Sequence, residues 1–212
     1  MLIIGAKGFA KEVLEILHQN GKTEHLCFYD DVNCNTPVKL YGQFPVLKSQ
    51  HEARDYFEKI SPYFTLGIGN PQLRFKLYNK FTDMGGLFSS TISKTAEMGS
   101  YGVEISEGCN ILGGAKISND VKIGSGTMIY YNSIITHDVS IGPFCEISPD
   151  VKLLGRSKVG DFVQIGAGAV IFPDVEIGSH AIIAAGSVVR KNVPANVMVA
   201  GVPAVIKKDL NK

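Results

Sequence analysis

The chain has 212 residues, 45% of them hydrophobic, and 21 Lys and Arg against 20 Asp and Glu give a formal net charge of +1. That length suits one domain or two small ones with a sizeable core. The balanced charge offers no electrostatic case for nucleic acid, and no Lys/Arg block points to an anionic membrane. No apolar run approaches the ~18 residues of a spanning helix. Met1–Gly5 reads as a strand entering a turn rather than as a signal peptide, so the expected location is the cytoplasm. Cys27, Cys34, Cys109 and Cys145 lack the spacing of a zinc site.

Residues 1–83 read as an α/β domain. Leu2–Ile4 is a strand, Gly5–Gly8 a turn, and Phe9–Gln19 a helix with Val13, Leu14, Ile16 and Leu17 inward. Leu26–Tyr29 forms a second strand ending at Asp30 and Asp31. Gln50–Ile60 is helical, Tyr63–Ile68 is a third strand, and Asn70-Pro71 supplies an N-cap and first-turn proline for a helix to about Thr82. The alternation implies a small parallel sheet with ligands at the carboxyl ends of its strands. A Gly5-x-x-Gly8 turn between strand and helix can present N–H groups to a phosphate, or can simply be a tight turn. Asp30 and Asp31 stand where a carboxylate often meets a ribose hydroxyl, or in a solvated turn.

Residues 84–212 follow another rule. From Ile105 to Val189, every sixth residue is Ile, Leu or Val, at fifteen consecutive positions. The residue four further on, from Cys109 to Val193, is always small or β-branched. An amphipathic helix needs a period of 3.6 and a strand a period of two, and neither fits. A period of six suits short strands that each place one large and one small side chain inward and then bend. Three of them close a triangular coil of eighteen residues, and stacked coils pair as parallel strands about 4.8 Å apart. A poorer coil is expected to begin near Leu87. Cys109 and Cys145 fall at equivalent inward positions two coils, about 9.6 Å, apart and are packing residues.

The hexapeptide pattern resembles the left-handed parallel β-helix acyltransferases over residues 105–205; its handedness comes from that family, since the general crossover rule favours the right hand. With GAKGFAKEV, YDD and GIGNPQLR ahead of the β-helix and ITHD within it, the whole chain is similar to the bacterial nucleotide-sugar acetyltransferases. These include the enzymes that N-acetylate UDP-4-amino sugars for bacillosamine and GDP-perosamine synthesis, and the sialic acid O-acetyltransferases. The expected fold is therefore a Rossmann-like domain (1–83) followed by a left-handed β-helix with a C-terminal tail (84–212).

The resemblance makes His137 the catalytic base, with Asp138 beside it, and acetyl-CoA the donor. An imidazole accepts the proton that an attacking amine must lose, and a neighbouring carboxylate fixes its tautomer. Gly155 lies one coil beyond His137 and is expected to leave open space above the ring for a thioester; the family places the oxyanion donor near it. Asp138, as the next residue on a strand, is expected to face away and act indirectly. The family's coenzyme groove matches Gly155, Ala167 and Ala185, and its terminal GxPA motif matches the segment around Gly201. Candidate nucleotide-sugar contacts are Gly5, Gly8, Phe9, Asp30, Asp31, Gly69 and Asn70. The family also implies a homotrimer with active sites between subunits, the first domain holding the nucleotide diphosphate.

Three positions depart from the family pattern: Glu146 replaces a second His, Tyr130 an Asn, and Phe9-Ala10 a His-Gly. They bear on the acceptor. N-acetylation of a UDP-4-amino sugar is the first expectation and O-acetylation of a sugar such as sialic acid the second. A non-catalytic scaffold on the same β-helix is the third. A γ-class carbonic anhydrase would need three histidine ligands, and the β-helix holds only His137 and His180, so no metal is expected.

Overall fold

In the computed structural model, residues 1–211 are described. They form two compact units that divide between Lys94 and Thr95.

The first unit is built on a sheet whose central strand, β1 (Leu2–Ile4), pairs in parallel with β2 (Cys27–Tyr29) on one side and β5 (Tyr63–Leu66) on the other. Beyond β2 lie β4 (Phe44–Leu47), parallel, and β3 (Lys39–Leu40), antiparallel. β6 (Leu87–Phe88) closes the other edge against β5. Three helices connect these strands: α1 (Gly8–Gln19), α2 (Gln50–Lys59) and α3 (Pro71–Thr82). α1 buries Val13, Leu14, Ile16 and Leu17 as its 3.6-residue pattern requires. α2 starts at a capping box, in which Ser49 Oγ accepts from the Glu52 N–H and the Glu52 carboxylate accepts from the Ser49 N–H at 2.8 Å.

Two features differ from the sequence reading. The β3–β4 hairpin has too few residues to show a period. Leu87 does not open the β-helix: its N–H donates to Pro62 O at 2.8 Å, and Asn20 Nδ2 holds Ile92 O at 2.8 Å. Residues 84–94 therefore cluster with the first unit, beyond the boundary expected at residue 83.

The second unit is a parallel β-helix of three faces. The first face carries Asn110–Ile111, Met128–Ile129, Glu146–Ile147, Gln164–Ile165 and Ile182–Ile183. The second carries Glu97–Met98, Lys116–Ile117, Ile134–Ile135, Lys152–Leu153, Val170–Ile171 and Val188–Val189, and the third runs from Glu104–Ile105 to Glu176–Ile177. Partners lie eighteen residues apart, as with Lys116↔Ile134 and Lys122↔Ser140. The large inward residues from Ile111 to Val189 are at most 4% exposed. Ile105 is only half-buried, because it sits in the first coil with no complete layer beneath it. All fifteen small inward positions, Cys109 to Val193, are buried.

The bends use left-handed backbone. Asp120, Asn132, Asp138, Asp150 and Asp174 all have φ between 58° and 63°, a region in which Asn and Asp are the least strained non-glycine residues. Val197–Gly201 pairs with Ile182–Ile183 and turns back as an antiparallel strand, Ala204–Asp209.

Candidate active site

His137 leaves the second face at the bend toward the third. Its strand is pinned to the next coil on both sides: Thr136 N–H donates to Leu153 O at 3.0 Å and Arg156 N–H to His137 O at 3.1 Å. Asp138 is the left-handed residue of that bend, so it does not follow strand alternation. Its carboxylate swings back to His137, with Oδ2 2.7 Å from Nδ1. Sequence reasoning gave Asp138 an indirect role; the bend makes the contact direct. A carboxylate only accepts, so Nδ1 carries the proton and the Nε2 lone pair is left for a substrate.

Gly155 also has a different part from the one expected. A Cβ there would stand 2.7 Å from His137 Cε1 and 2.8 Å from Nε2. The imidazole itself occupies the space that the missing side chain leaves, and any larger residue would displace the ring. Gly155 is buried, and its N–H has no hydrogen-bond partner among the described residues. That N–H is a donor beside the base. Next to it Arg156 forms a bidentate pair with Asp174, at 2.6 and 2.8 Å. The pairing raises Arg156, chiefly through Asp174 with a smaller contribution from Asp138, and lowers Asp174.

In the first unit, a cavity of about 390 Å³ lies at the carboxyl ends of β1, β2 and β5, where open α/β sheets take their ligands. Gly5, Gly8, Phe9, Asp30, Asp31 and Gly69 all line it. Gly5 has φ +111°, and a Cβ on it would meet Gly67 O at 2.8 Å. Gly67 in turn lies against Ala10, where a Cβ would approach the alanine methyl to 2.6 Å. This close packing brings the start of α1 over the strand ends. The N-cap Lys7 makes no side-chain cap, a Cβ on Gly8 would meet nothing within 4 Å, and the positive end of the α1 dipole lies at the cavity that Lys7, Gly8 and Phe9 line.

The two aspartates separate in role. Asp30 accepts from Val32 N–H, Asn33 N–H, Asn33 Nδ2 and Thr36 Oγ1 at 2.8–3.2 Å. Burial pushes its carboxyl up, but these bonds outweigh burial and hold it below the usual range. It organises the loop after β2. Asp31 Oδ2 accepts from Tyr29 Oη at 2.7 Å and Lys80 Nζ at 3.2 Å. Burial again opposes, and these partners win, so Asp31 is lowered; burial and then Asp31 push the Tyr29 phenol up. Asn70 lies outside the cavity lining, because its side-chain oxygen caps α3 through Leu73 N–H at 2.9 Å.

The PglD N-terminal domain family matches residues 1–81, and the bacterial transferase hexapeptide family (six repeats) matches residues 156–191. A histidine-to-alanine variant of GDP-perosamine N-acetyltransferase from Caulobacter crescentus, solved with CoA and GDP-perosamine, is 31% identical to this chain. It matches with a TM-score of 0.90 over 98% of this chain and 96% of that one. WeeI from Acinetobacter baumannii AYE is 32% identical, with a TM-score of 0.87 over 97% and 98% of the two chains. The chain belongs to the nucleotide-sugar acetyltransferases of the hexapeptide-repeat, left-handed β-helix family. The acetyltransferase domain of PglB from Neisseria gonorrhoeae FA1090 is 25% identical, with a TM-score of 0.87 over 97% and 98%.

Within this acetyltransferase, the positions taken from the coenzyme groove do not all meet. Gly155 stands at the bend where the second face ends, whereas Ala167 and Ala185 stand at the bend where it begins. They are one coil apart at that bend, with Gly186 N–H on Ala167 O at 2.8 Å. Gly201 lies in the terminal hairpin. Glu146 and Tyr130 belong to the first face, away from the His137 bend; Glu146 accepts from Gln164 Nε2 at 3.1 Å.

Sequence reasoning missed Arg74, which is 0% exposed on α3 and donates from Nη1 to Gly69 O. It holds the Gly67–Gly69 segment that lines the cavity. Its place in GIGNPQLR was its only signal, since a charged residue on a helix otherwise reads as solvated.

Proposed function

We propose that this protein transfers the acetyl group of acetyl-CoA to the amine of an amino-deoxy sugar linked to a nucleoside diphosphate, with His137 as general base. The observation that carries this reading is the His137–Asp138 pair, which leaves a basic Nε2 beside the unpaired Gly155 N–H.

Acetyl-CoA supplies an activated carbonyl as its thioester. The sugar nitrogen forms a bond to that carbonyl carbon and gives its proton to His137 Nε2. The Gly155 N–H is placed to receive the negative charge that gathers on the oxygen, which is where fixed donors contribute most to acyl transfer. As the carbon–sulfur bond breaks, the proton on Nε2 neutralises the leaving thiolate and His137 returns to its starting form. Asp138 keeps the imidazole in one tautomer and steadies its charged form.

In the first unit, the start of α1 at the cavity suits the diphosphate, and Asp31 is the carboxylate available to the nucleoside, Asp30 being spent on its own loop. Gly155, Ala167, Ala185 and Gly201 are the coenzyme contacts. Because Gly155 and the two alanines lie at opposite bends of one face, a second copy completes the coenzyme groove, and the protein acts as a homotrimer. Both substrates place the reaction in the cytoplasm.

Thiol release from acetyl-CoA is the test, against UDP-, dTDP- and GDP-linked amino sugars and sialic acid. Release with one amino sugar, absent in His137→Ala, is expected and names the base. Release with sialic acid alone replaces N- with O-acetylation. Silence, with no thermal stabilisation by acetyl-CoA, leaves a scaffold; a ligand at 100 times its Kd adds about 2.7 kcal/mol.

A further inference from the structure

The bend that carries Asp138 is one of a stacked series. Asp138, Arg156 and Asp174 are the left-handed residues of three successive bends, with φ of 61°, 62° and 63°. Equal backbone sends the three side chains out in the same direction, about 4.8 Å apart from coil to coil. Arg156 therefore stands midway between two carboxylates, Asp138 one coil before it and Asp174 one coil after. The pairing is one-sided. Arg156 Nε and Nη2 both donate to Asp174, at 2.6 and 2.8 Å, and among the described residues Arg156 makes no ion pair with Asp138. Asp138 holds His137 instead, at 2.7 Å.

Asp138 is the next partner within reach of the guanidinium. Arg156 cannot withdraw from the site, because its N–H donates to His137 O at 3.1 Å. Asp174 raises Arg156 most, and the charge of Asp138 adds a smaller contribution without contact. The other charged groups nearby offer no exchange: Lys158 donates to Glu176 at 2.8 Å on the third face, and Asp120 occupies the bend two coils before Arg156. A guanidinium gives a carboxylate two charge-assisted bonds, whereas a neutral imidazole gives it one N–H. An Arg156 without Asp174 would therefore take the Asp138 carboxylate from His137, and Nδ1 would lose the acceptor that fixes its tautomer.

We propose that Asp174 is a positioning residue for the reaction: by holding both arms of the Arg156 fork it keeps the guanidinium off Asp138 and leaves that carboxylate to His137. Asp174 touches neither the base nor a reacting atom, and it acts from two coils away through the arginine between. Arg156 in turn ties the two coils together at the bend, a clip that needs its own carboxylate if it is not to borrow the catalytic one. The positioning role rests on the acetyltransferase reading above; the competition of two aspartates for one arginine stands without it.

The test compares Asp174→Asn, Arg156→Gln and the double variant in the full-length protein. Both side chains are exposed and an exposed pair adds little to stability, so the fold is retained, as circular dichroism checks. Heteronuclear NMR of labelled histidine at about pH 8, where an ordinary imidazole is neutral, reads the His137 tautomer without any substrate; His137→Ala assigns the signal. Thiol release gives kcat and KM. The wild type and Arg156→Gln are expected to carry the proton on Nδ1. Asp174→Asn should mix the tautomers and lower kcat about tenfold or more, with the KM for acetyl-CoA within about twofold. Adding Arg156→Gln to Asp174→Asn should restore the tautomer and bring kcat back to within about threefold of the wild type, a rescue that lost packing would not show. A wild-type tautomer in Asp174→Asn, or a double variant as slow as Asp174→Asn, overturns the proposal. Absence of wild-type turnover with every amino sugar overturns the reaction and the positioning role with it, and the tautomer comparison separates that failure from a failure of the competition.

Discussion

Removing the imidazole in His137→Ala takes away the proton acceptor. We expect kcat to fall about 10²–10⁴-fold while acetyl-CoA still stabilises the protein. Asp138→Asn keeps the shape but loses the carboxylate that holds Nδ1–H, and kcat should drop about tenfold to a hundredfold, less than for a buried triad aspartate because the pair is half-exposed. Gly155→Ala is the sharper test of the geometry. The backbone there is ordinary and the new methyl meets only a movable ring, so thermal stability should hold while kcat falls. Equal loss of stability and activity would show that Gly155 serves packing alone. The sequence showed which residues surround this site, because ITHD and the 18-residue coil place His137 and Gly155 one above the other. It did not show how they touch. The Asp138 contact depends on a left-handed bend, and the ring over Gly155 on a rotamer, and neither has a periodic signal.

At the scale of elements, the hexad repeat was legible because each inward side chain is fixed by its immediate neighbours. Ile147→Ala should cost about 2–5 kcal/mol in chemical denaturation, whereas half-buried Ile105 should cost clearly less on the same truncation. Two stretches of the first unit were not legible. β3 and β4 are two and four residues long, with Pro45 between Phe44 and Val46. Arg74 reads as a surface charge until the tertiary fold buries it. Arg74→Met leaves Gly69 O without that donor, so the KM for the nucleotide sugar should rise while the KM for acetyl-CoA stays put; a change in both would assign Arg74 to general stability. The Asp30 loop has its own signature. Its folded carboxyl is lowered, so its stabilisation is complete above the unfolded pKa of about 3.9 and disappears as pH falls through the lower folded value. The gap in thermal midpoint between the wild type and Asp30→Asn should be widest near neutral pH and close in acid, and a pH-independent gap would refute this role.

For the whole molecule, the decisive asymmetry lies between two faces of the β-helix. The third face shows water Glu104, Lys122, Lys158 and Glu176, all exposed and paired in ladders. The second face keeps one such pair, Lys116–Glu97, in its first coils, and beyond it carries Ile134, Leu154, Val170 and Val188 half-buried, with Phe172 37% exposed. Apolar groups ranked along one face of a coil are stabilised by a covering surface, and the proposed coenzyme positions at its two bends would need a second copy to come together. Both arguments point to this face as the contact of the proposed trimer. Val170→Asp sets a charge in the middle of it without touching the inward column. Light scattering should then report the monomer mass where the wild type reports three copies, with the β-sheet circular dichroism signal retained. Acetyl-CoA should no longer raise the melting temperature, although His137 and Asp138 remain paired. A monomeric variant that binds and uses acetyl-CoA as well as the wild type would show that one copy holds the whole coenzyme site.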